Sequence, residues 1–222
     1  MKIIQGYLFS YLYVFGVLLT ITTIKKLYNI RMNDVFRKTV HILIVFTWIS
    51  LYIFLYDTWH FIIIPLSFVL ITVASAKYGV IKIVERDTHD GTDYGIIHYS
   101  ISMTFLCMAA TFFPISLVPC GIGIFALAFG DGFAAVFGQA FRKANLYITK
   151  TKTLAGAGAC FIFTIIGILV LRVFIPFSIS IISLIVVGIV AAIMEVIGGK
   201  YDNYTVPFGT AAMTMLMRIG EV

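Results

Sequence analysis

Phe129-Gly-Asp-Gly-Phe-Ala-Ala-Val-Phe-Gly138 sets one carboxylate, Asp131, inside an otherwise apolar run. Removing an ionised group from water is expensive, so an acid at membrane depth is by default a functional-site hypothesis. On a helix its neighbours three, four and seven residues on are Ala134, Ala135 and Gly138. Such small side chains admit a second backbone or a ligand close to the carboxylate. The chain then turns basic at Arg142, Lys143, Lys150 and Lys152, and re-enters an apolar segment through Thr153, Gly156 and Gly158. A buried acid, a set of lysines and a glycine-loosened helix start together describe a place for a metal ion and phosphate.

The run around Asp131 is typical of the whole. Of 222 residues, 61% are hydrophobic and only 12% charged, with mean hydropathy +1.04. A soluble domain of that length needs a far more charged surface, so the expectation is an all-α, multi-pass integral membrane bundle. Spans are expected at about Ile4 to Ile24, Thr39 to Tyr56, Phe61 to Ala76 after a turn from Asp57 to His60, Gly95 to Phe113, Pro119 to Gly138, Leu154 to Ile175 and Ser178 to Ile197. That makes seven transmembrane helices, or eight if the tail from Val206 to Ile219 also crosses. The N-terminus, apolar from Ile3 to Ile24 without a small-residue cleavage site, reads as a retained helix rather than a signal peptide. Between Lys77 and Tyr94, the first half reads as an interfacial amphipathic helix and the second as an acceptor-rich loop. Cys107, Cys120 and Cys160 lie in apolar segments without metal-ligand spacing and read as small core residues.

Orientation follows from the basic residues. Of the 16 Lys and Arg, all but Lys2, Arg172 and Arg218 fall in alternate loops, which leaves 13 on one side. The net charge of +6 is thereby explained by cytoplasmic loops rather than by nucleic acid, and the N-terminus is expected outside.

Four further constellations carry candidate chemistry. Arg37, Lys38 and His41 share one helix face, and basic groups at a helix start oppose the dipole unless an anion binds; simple membrane anchoring is the other open reading. Lys150 to Gly156 is neither a Walker A nor a Rossmann fingerprint. It suits phosphate through its lysines and a hydroxyl cap at Thr151 or Thr153, with a solvated basic loop as the alternative. Glu195 repeats the Asp131 pattern, ringed by Gly188, Ala191, Ala192, Gly198 and Gly199. Asp202 and Asn203 follow it as oxygen donors of the kind magnesium or ribose hydroxyls accept; beside Glu195 that reading outweighs a capped turn. His89, Asp90 and Asp93 read as a loop rather than a metal site.

Taken in order, Arg37-Lys38-x-x-His41, Gly91-Thr-x-Tyr-Gly95, Gly130-Asp-x-x-Ala134-x-x-x-Gly138, Lys152-Thr-x-x-Gly156, Glu195 and Asp202-Asn203-x-x-x-Pro207 resemble the polyprenol kinase family. That family comprises dolichol, phytol and farnesol kinases and the CTP-dependent diacylglycerol kinase. The resemblance covers about Arg37 to Pro207 of a single catalytic domain spanning 1–222, with 1–36 an extra N-terminal helix and basic loop. The Gly-Asp and Lys-Thr-x-x-Gly pair is shared with the CDP-diacylglycerol synthases; the early Arg-Lys-x-x-His and the small size favour the kinases. In many members a Gly-Lys or Gly-Arg pair follows the second glycine closely, whereas here Gln139-Ala-Phe141 precede Arg142.

The resemblance implies transfer of the γ-phosphate of CTP to the hydroxyl of a membrane lipid alcohol. On that basis Asp131 is expected to hold Mg2+, assisted by Glu195 and Asp202. Lys150, Lys152, Thr153 and Gly156 would take the phosphates, and Asn203 the nucleotide. Arg37 and Lys38 would neutralise the transferring group, and His41 would orient or deprotonate the alcohol. The implied partners are a lipid alcohol, a nucleoside triphosphate and the membrane, with no nucleic acid, and a homodimer is compatible with this reading. The implied location is a bacterial plasma membrane or its equivalent, with the active site facing the cytoplasm. The rivals are a phosphatidate-type cytidylyltransferase and a cation- or proton-coupled transporter using Asp131 and Glu195.

Overall fold

The structure is a computed structural model that describes residues 1–29, 34–56, 58–78, 95–113, 117–141 and 146–220. The expected interfacial helix beyond Tyr78, the loop with His89, Asp90 and Asp93, the motif from Gly91 to Tyr94, and Arg142 and Lys143 lie outside the described residues, while Lys77 and Tyr78 end the helix before it. Among the described residues the chain is helical, with no strand, and it divides into two compact units, Met1–Thr111 and Phe112–Val222. Among the described residues six helical stretches are long and apolar enough to cross a membrane, and His60–Ser75 is a shorter apolar helix.

The first unit holds α1 (Lys2–Tyr28), α2 (Asp34–Ile44), α3 (Thr47–Leu55), α4 (His60–Tyr78) and α5 (Gly95–Phe112). Its helices touch through small and polar groups, as expected where lipid tails give apolar faces no reason to prefer each other. Gly6 of α1 lies against Leu55 and Phe54, and Ser10 hydrogen-bonds Ser50. Tyr7 and Tyr11 reach α4 at His60 Nδ1 and Ser67 Oγ, each at 2.8 Å. The other face of α1, with Ile4, Leu8, Leu12 and Leu19, is exposed and apolar, which suits lipid. The span expected from Thr39 to Tyr56 breaks at Val45–Phe46 into α2 and α3. Neither residue is a helix breaker; the Tyr13 hydroxyl donates to the Leu43 carbonyl at 2.7 Å and satisfies it there.

The second unit holds α6 (Leu117–Phe125), a π-helical turn (Ala126–Asp131), α7 (Gly132–Ala140), α8 (Leu154–Phe174), α9 (Ile181–Gly198), a 3-10 turn (Gly199–Tyr201) and α10 (Asp202–Leu216). The stretch from Ile181 to Leu216 is 36 residues long. As one straight helix at ~1.5 Å per residue it would exceed a ~30 Å hydrocarbon core by far. It reverses instead at Gly199, whose φ of 55° is open to glycine and strained for other residues. Thr205 of α10 then donates to the Met194 carbonyl at 2.8 Å and packs on Gly198, folding α10 back along α9.

The helix containing Asp131 is buried continuously from Val118 to Gly132, which its glycines permit. A methyl group on Gly130 would run into Thr164 and come within 3.3 Å of the Cys160 carbonyl of α8. Gly130→Ala should therefore lose about 1–3 kcal/mol. Gly158→Ala on α8 meets nothing within 4 Å and should be neutral or gain about 0.5 kcal/mol. Thermal unfolding of both variants in detergent checks this; equal midpoints would mean that α8 does not pack on Gly130.

Candidate functional site

Asp131 closes the π-helical turn and is 2% exposed. A π turn carries one more residue per turn than its flanks, and such turns occur often at functional positions. Beyond it, α7 crosses the start of α8 at two glycines. A methyl group added at Gly138 or at Gly156 would come within 3.7 Å of the other's Cα, and one at Gly156 within 3.2 Å of the Ala134 carbonyl. The small-residue face beside Asp131 thus admits a second backbone.

The loop before α8 is held by its own backbone. Ile148 N–H donates to the Lys152 carbonyl at 2.9 Å, Leu154 N–H to the Leu146 carbonyl at 3.0 Å, and Thr149 Oγ1 accepts from Lys152 N–H at 3.1 Å. Thr153 then caps α8, its Oγ1 accepting from Gly156 N–H at 3.1 Å. This tight hairpin leaves Lys150 exposed and turns Lys152 inward.

Lys152 meets the α9–α10 junction. Its Nζ donates to Glu195 Oε1 at 2.6 Å and to Asp202 Oδ2 at 2.7 Å. Burial alone would lower the lysine's pKa, but Asp202, Glu195 and Asp131 together outweigh it and hold the pKa above its usual value. The ammonium is therefore kept through the neutral range. Asp202 begins α10, where the helix N-terminus favours a carboxylate, and the buried Asn203 follows it. Asp131, Glu195 and Asp202 each bring one carboxylate oxygen within 4.8 Å of the others.

These residues fit a hard divalent cation on three counts. Octahedral magnesium at ~2.1 Å sets its ligand oxygens about 3–4 Å apart, a small closure from the spacing here. Glu195 Oε2 is buried and has no hydrogen-bond partner among the described residues. Formally, three carboxylates less one ammonium leave a charge of −2 at the cluster.

The residues expected at this site divide between the units. Asp131, Lys152, Thr153, Gly156, Glu195, Asp202 and Asn203 belong to the second. There Lys152, expected on phosphate, is instead clasped by two of the three acids. Arg37, Lys38 and His41 belong to the first, on α2, with Lys38 and His41 buried. There the His41 ring lies against that of Tyr99 with centroids 4.4 Å apart, and the Tyr99 hydroxyl donates to the His41 carbonyl at 3.2 Å. Tyr99 and Thr47, which share a cavity with His41, escape the sequence reading. A hydroxyl within the apolar run Val45-Phe-Thr-Trp48 is the only trace that Thr47 leaves.

No family model, curated protein or solved structure matches the chain.

Proposed function

We propose that this protein is a membrane lipid kinase that transfers the γ-phosphate of CTP to the hydroxyl of a lipid alcohol with Mg2+. The observation that carries the reading is the trio of the buried Asp131 and Glu195 with the half-buried Asp202, two of which hold the Lys152 ammonium. The motif order that resembles the polyprenol kinases supports it. Phosphoryl transfer is mostly positioning and charge neutralisation, and this cluster offers both.

Asp131, Glu195 and Asp202 would hold the metal, which when bound would draw charge from the phosphate chain. Lys152 balances two of these acids and stays protonated, available to phosphate oxygens as well. Leu154 and Gly156 N–H are already taken by the Leu146 carbonyl and the Thr153 hydroxyl, so what α8 would offer phosphate oxygens is the positive end of its dipole rather than a set of free N–H groups. In the N-terminal unit, Arg37 and Lys38 are assigned to the charge of the transferring group, and His41 to the alcohol hydroxyl. The alcohol oxygen bonds to the γ-phosphorus, the bond from that phosphorus to the β-phosphate oxygen breaks, the hydroxyl proton is taken by a base, and CDP leaves. The same reading takes seven or eight crossings with the N-terminus outside, because the basic loops then share the compartment that holds nucleotides.

The test uses full-length protein in detergent with Mg2+, a mixed lipid extract, and CTP labelled at either the α or the γ phosphorus. Label on lipid from the γ position only is expected. Label from α only would make the protein a cytidylyltransferase. No label from any nucleoside triphosphate, with defined alcohols added, would remove the phosphotransfer reading.

A further inference from the structure

Helices α1 to α5 of the N-terminal unit line an apolar, partly open cavity. Its wall is built of residues such as Val14, Ile44, Phe68 and Met103. Two polar side chains in that wall stand out. His41 and Thr47 are each 2% exposed, and both ring nitrogens of His41 and the Thr47 hydroxyl lack a hydrogen-bond partner among the described residues. The nearby Tyr99 hydroxyl is engaged by the His41 carbonyl, and Thr72, also in the wall, bonds the Phe68 carbonyl. Buried polar atoms are almost always paired, so three orphans around one void call for a partner within it.

We infer that this void is the site of a single-chain, long-chain alcohol, with the hydrocarbon in the apolar wall and the hydroxyl on the His41 ring, Thr47 supplying a second polar contact. A neutral imidazole offers one donor and one acceptor, and a threonine hydroxyl offers both. Their best complement is a group that donates and accepts, as a hydroxyl does. A plain hydrocarbon satisfies none of these atoms. The two ester groups of a diacylglycerol add acceptors without adding a donor, and its branch requires room for two chains in one void. The inference rests on the lipid-alcohol reading above, and it narrows the alcohol to one chain, isoprenoid or fatty.

The test is photo-crosslinking of the full-length protein in detergent, without nucleotide. The probe is a long-chain primary alcohol carrying a diazirine near mid-chain, with crosslinked peptides mapped by mass spectrometry. Label is expected on α4 and α5, around Phe68 and Met103. Unlabelled geranylgeraniol or oleyl alcohol should compete at least about tenfold better than the matching hydrocarbons, the worth of one buried hydrogen bond left unmade. His41→Phe keeps an aromatic ring but removes both nitrogens, and should abolish that preference while tail labelling persists. Met103→Trp fills the void and should abolish labelling; if His41→Phe does not fold, this variant and the competitor series decide. Equal competition by alcohol and hydrocarbon, equal competition by diacylglycerol, or label only on the outer faces of the helices would each overturn the proposal. If geranylgeraniol competes and oleyl alcohol does not, the chain is isoprenoid; the reverse makes it fatty. A labelled cavity with no phosphoryl transfer fails the kinase reading alone. Transfer with an unlabelled cavity fails this one alone.

Discussion

Asp131→Asn should reduce lipid phosphorylation by at least ~10²–10³-fold, the scale of losing one preorganised electrostatic group at a reacting centre. The substitution keeps the shape of the side chain and removes only its charge, so turnover can be compared per folded molecule. Two explanations of Asp131 then separate. If it ligates a divalent cation, the variant should need roughly tenfold more Mg2+ or more for its residual activity, because a carboxylate has been withdrawn from a three-carboxylate set. If it serves only to balance Lys152, the midpoint of unfolding should shift while turnover per folded molecule stays near wild type. Wild-type turnover with an unchanged Mg2+ requirement would remove the metal assignment. The proposed chemistry would then rest on Glu195 and Asp202.

Asp131 could be singled out from sequence because its cost is local: a carboxylate in an apolar run is anomalous whatever surrounds it. The same holds for Glu195. The long helices were legible for a similar reason, since continuous apolar runs such as Leu154–Phe174 and Gly95–Phe112 leave the backbone little choice in a membrane. What could not be read depends on contacts between distant residues. The break between α2 and α3 has no glycine or proline to announce it; the Tyr13 hydroxyl, 30 residues away, supplies the partner for the Leu43 carbonyl. The π-helical turn meets α8 where Gly130 faces Thr164 and Cys160 and where Gly167 of α8 faces Phe125 and Phe129, and its sequence differs little from the α-helix on either side. Gly198-Gly199 reads as a helix end, but only the φ of 55° in the folded chain identifies the residue at which the chain reverses. The destination of Lys152 was equally hidden. It sits 43 residues from Glu195 and 50 from Asp202, and the sequence alone allows it to face phosphate, water or acid.

That destination makes Lys152→Met the variant with the largest expected effect on stability. Methionine keeps most of the side chain's length and apolar contact but removes the ammonium from between two acids. Glu195 is 5% and Asp202 14% exposed, so little water can replace it. Breaking a buried ion pair from one side costs about 3–5 kcal/mol, since the remaining charge is left desolvated and unpaired. The cost is predicted to be reversible by metal. Without Lys152 the formal charge of the cluster goes from −2 to −3, which strengthens its attraction for a divalent cation. A ligand at 100 times its dissociation constant stabilises the folded state by ~2.7 kcal/mol, so millimolar Mg2+ should restore much of the loss. Unfolding can be followed with a thiol-reactive fluorophore, because Cys107, Cys120 and Cys160 are buried thiols outside any disulfide. The expected result is a Mg2+-dependent rise in midpoint that is larger in Lys152→Met than in wild type, and absent when Asp131→Asn is added. If Mg2+ raises both midpoints equally, or neither, the three acids do not form a cation site. Lys152 would then be a structural counter-ion that makes three carboxylates tolerable in an apolar bundle, and the nucleotide would have to be held elsewhere.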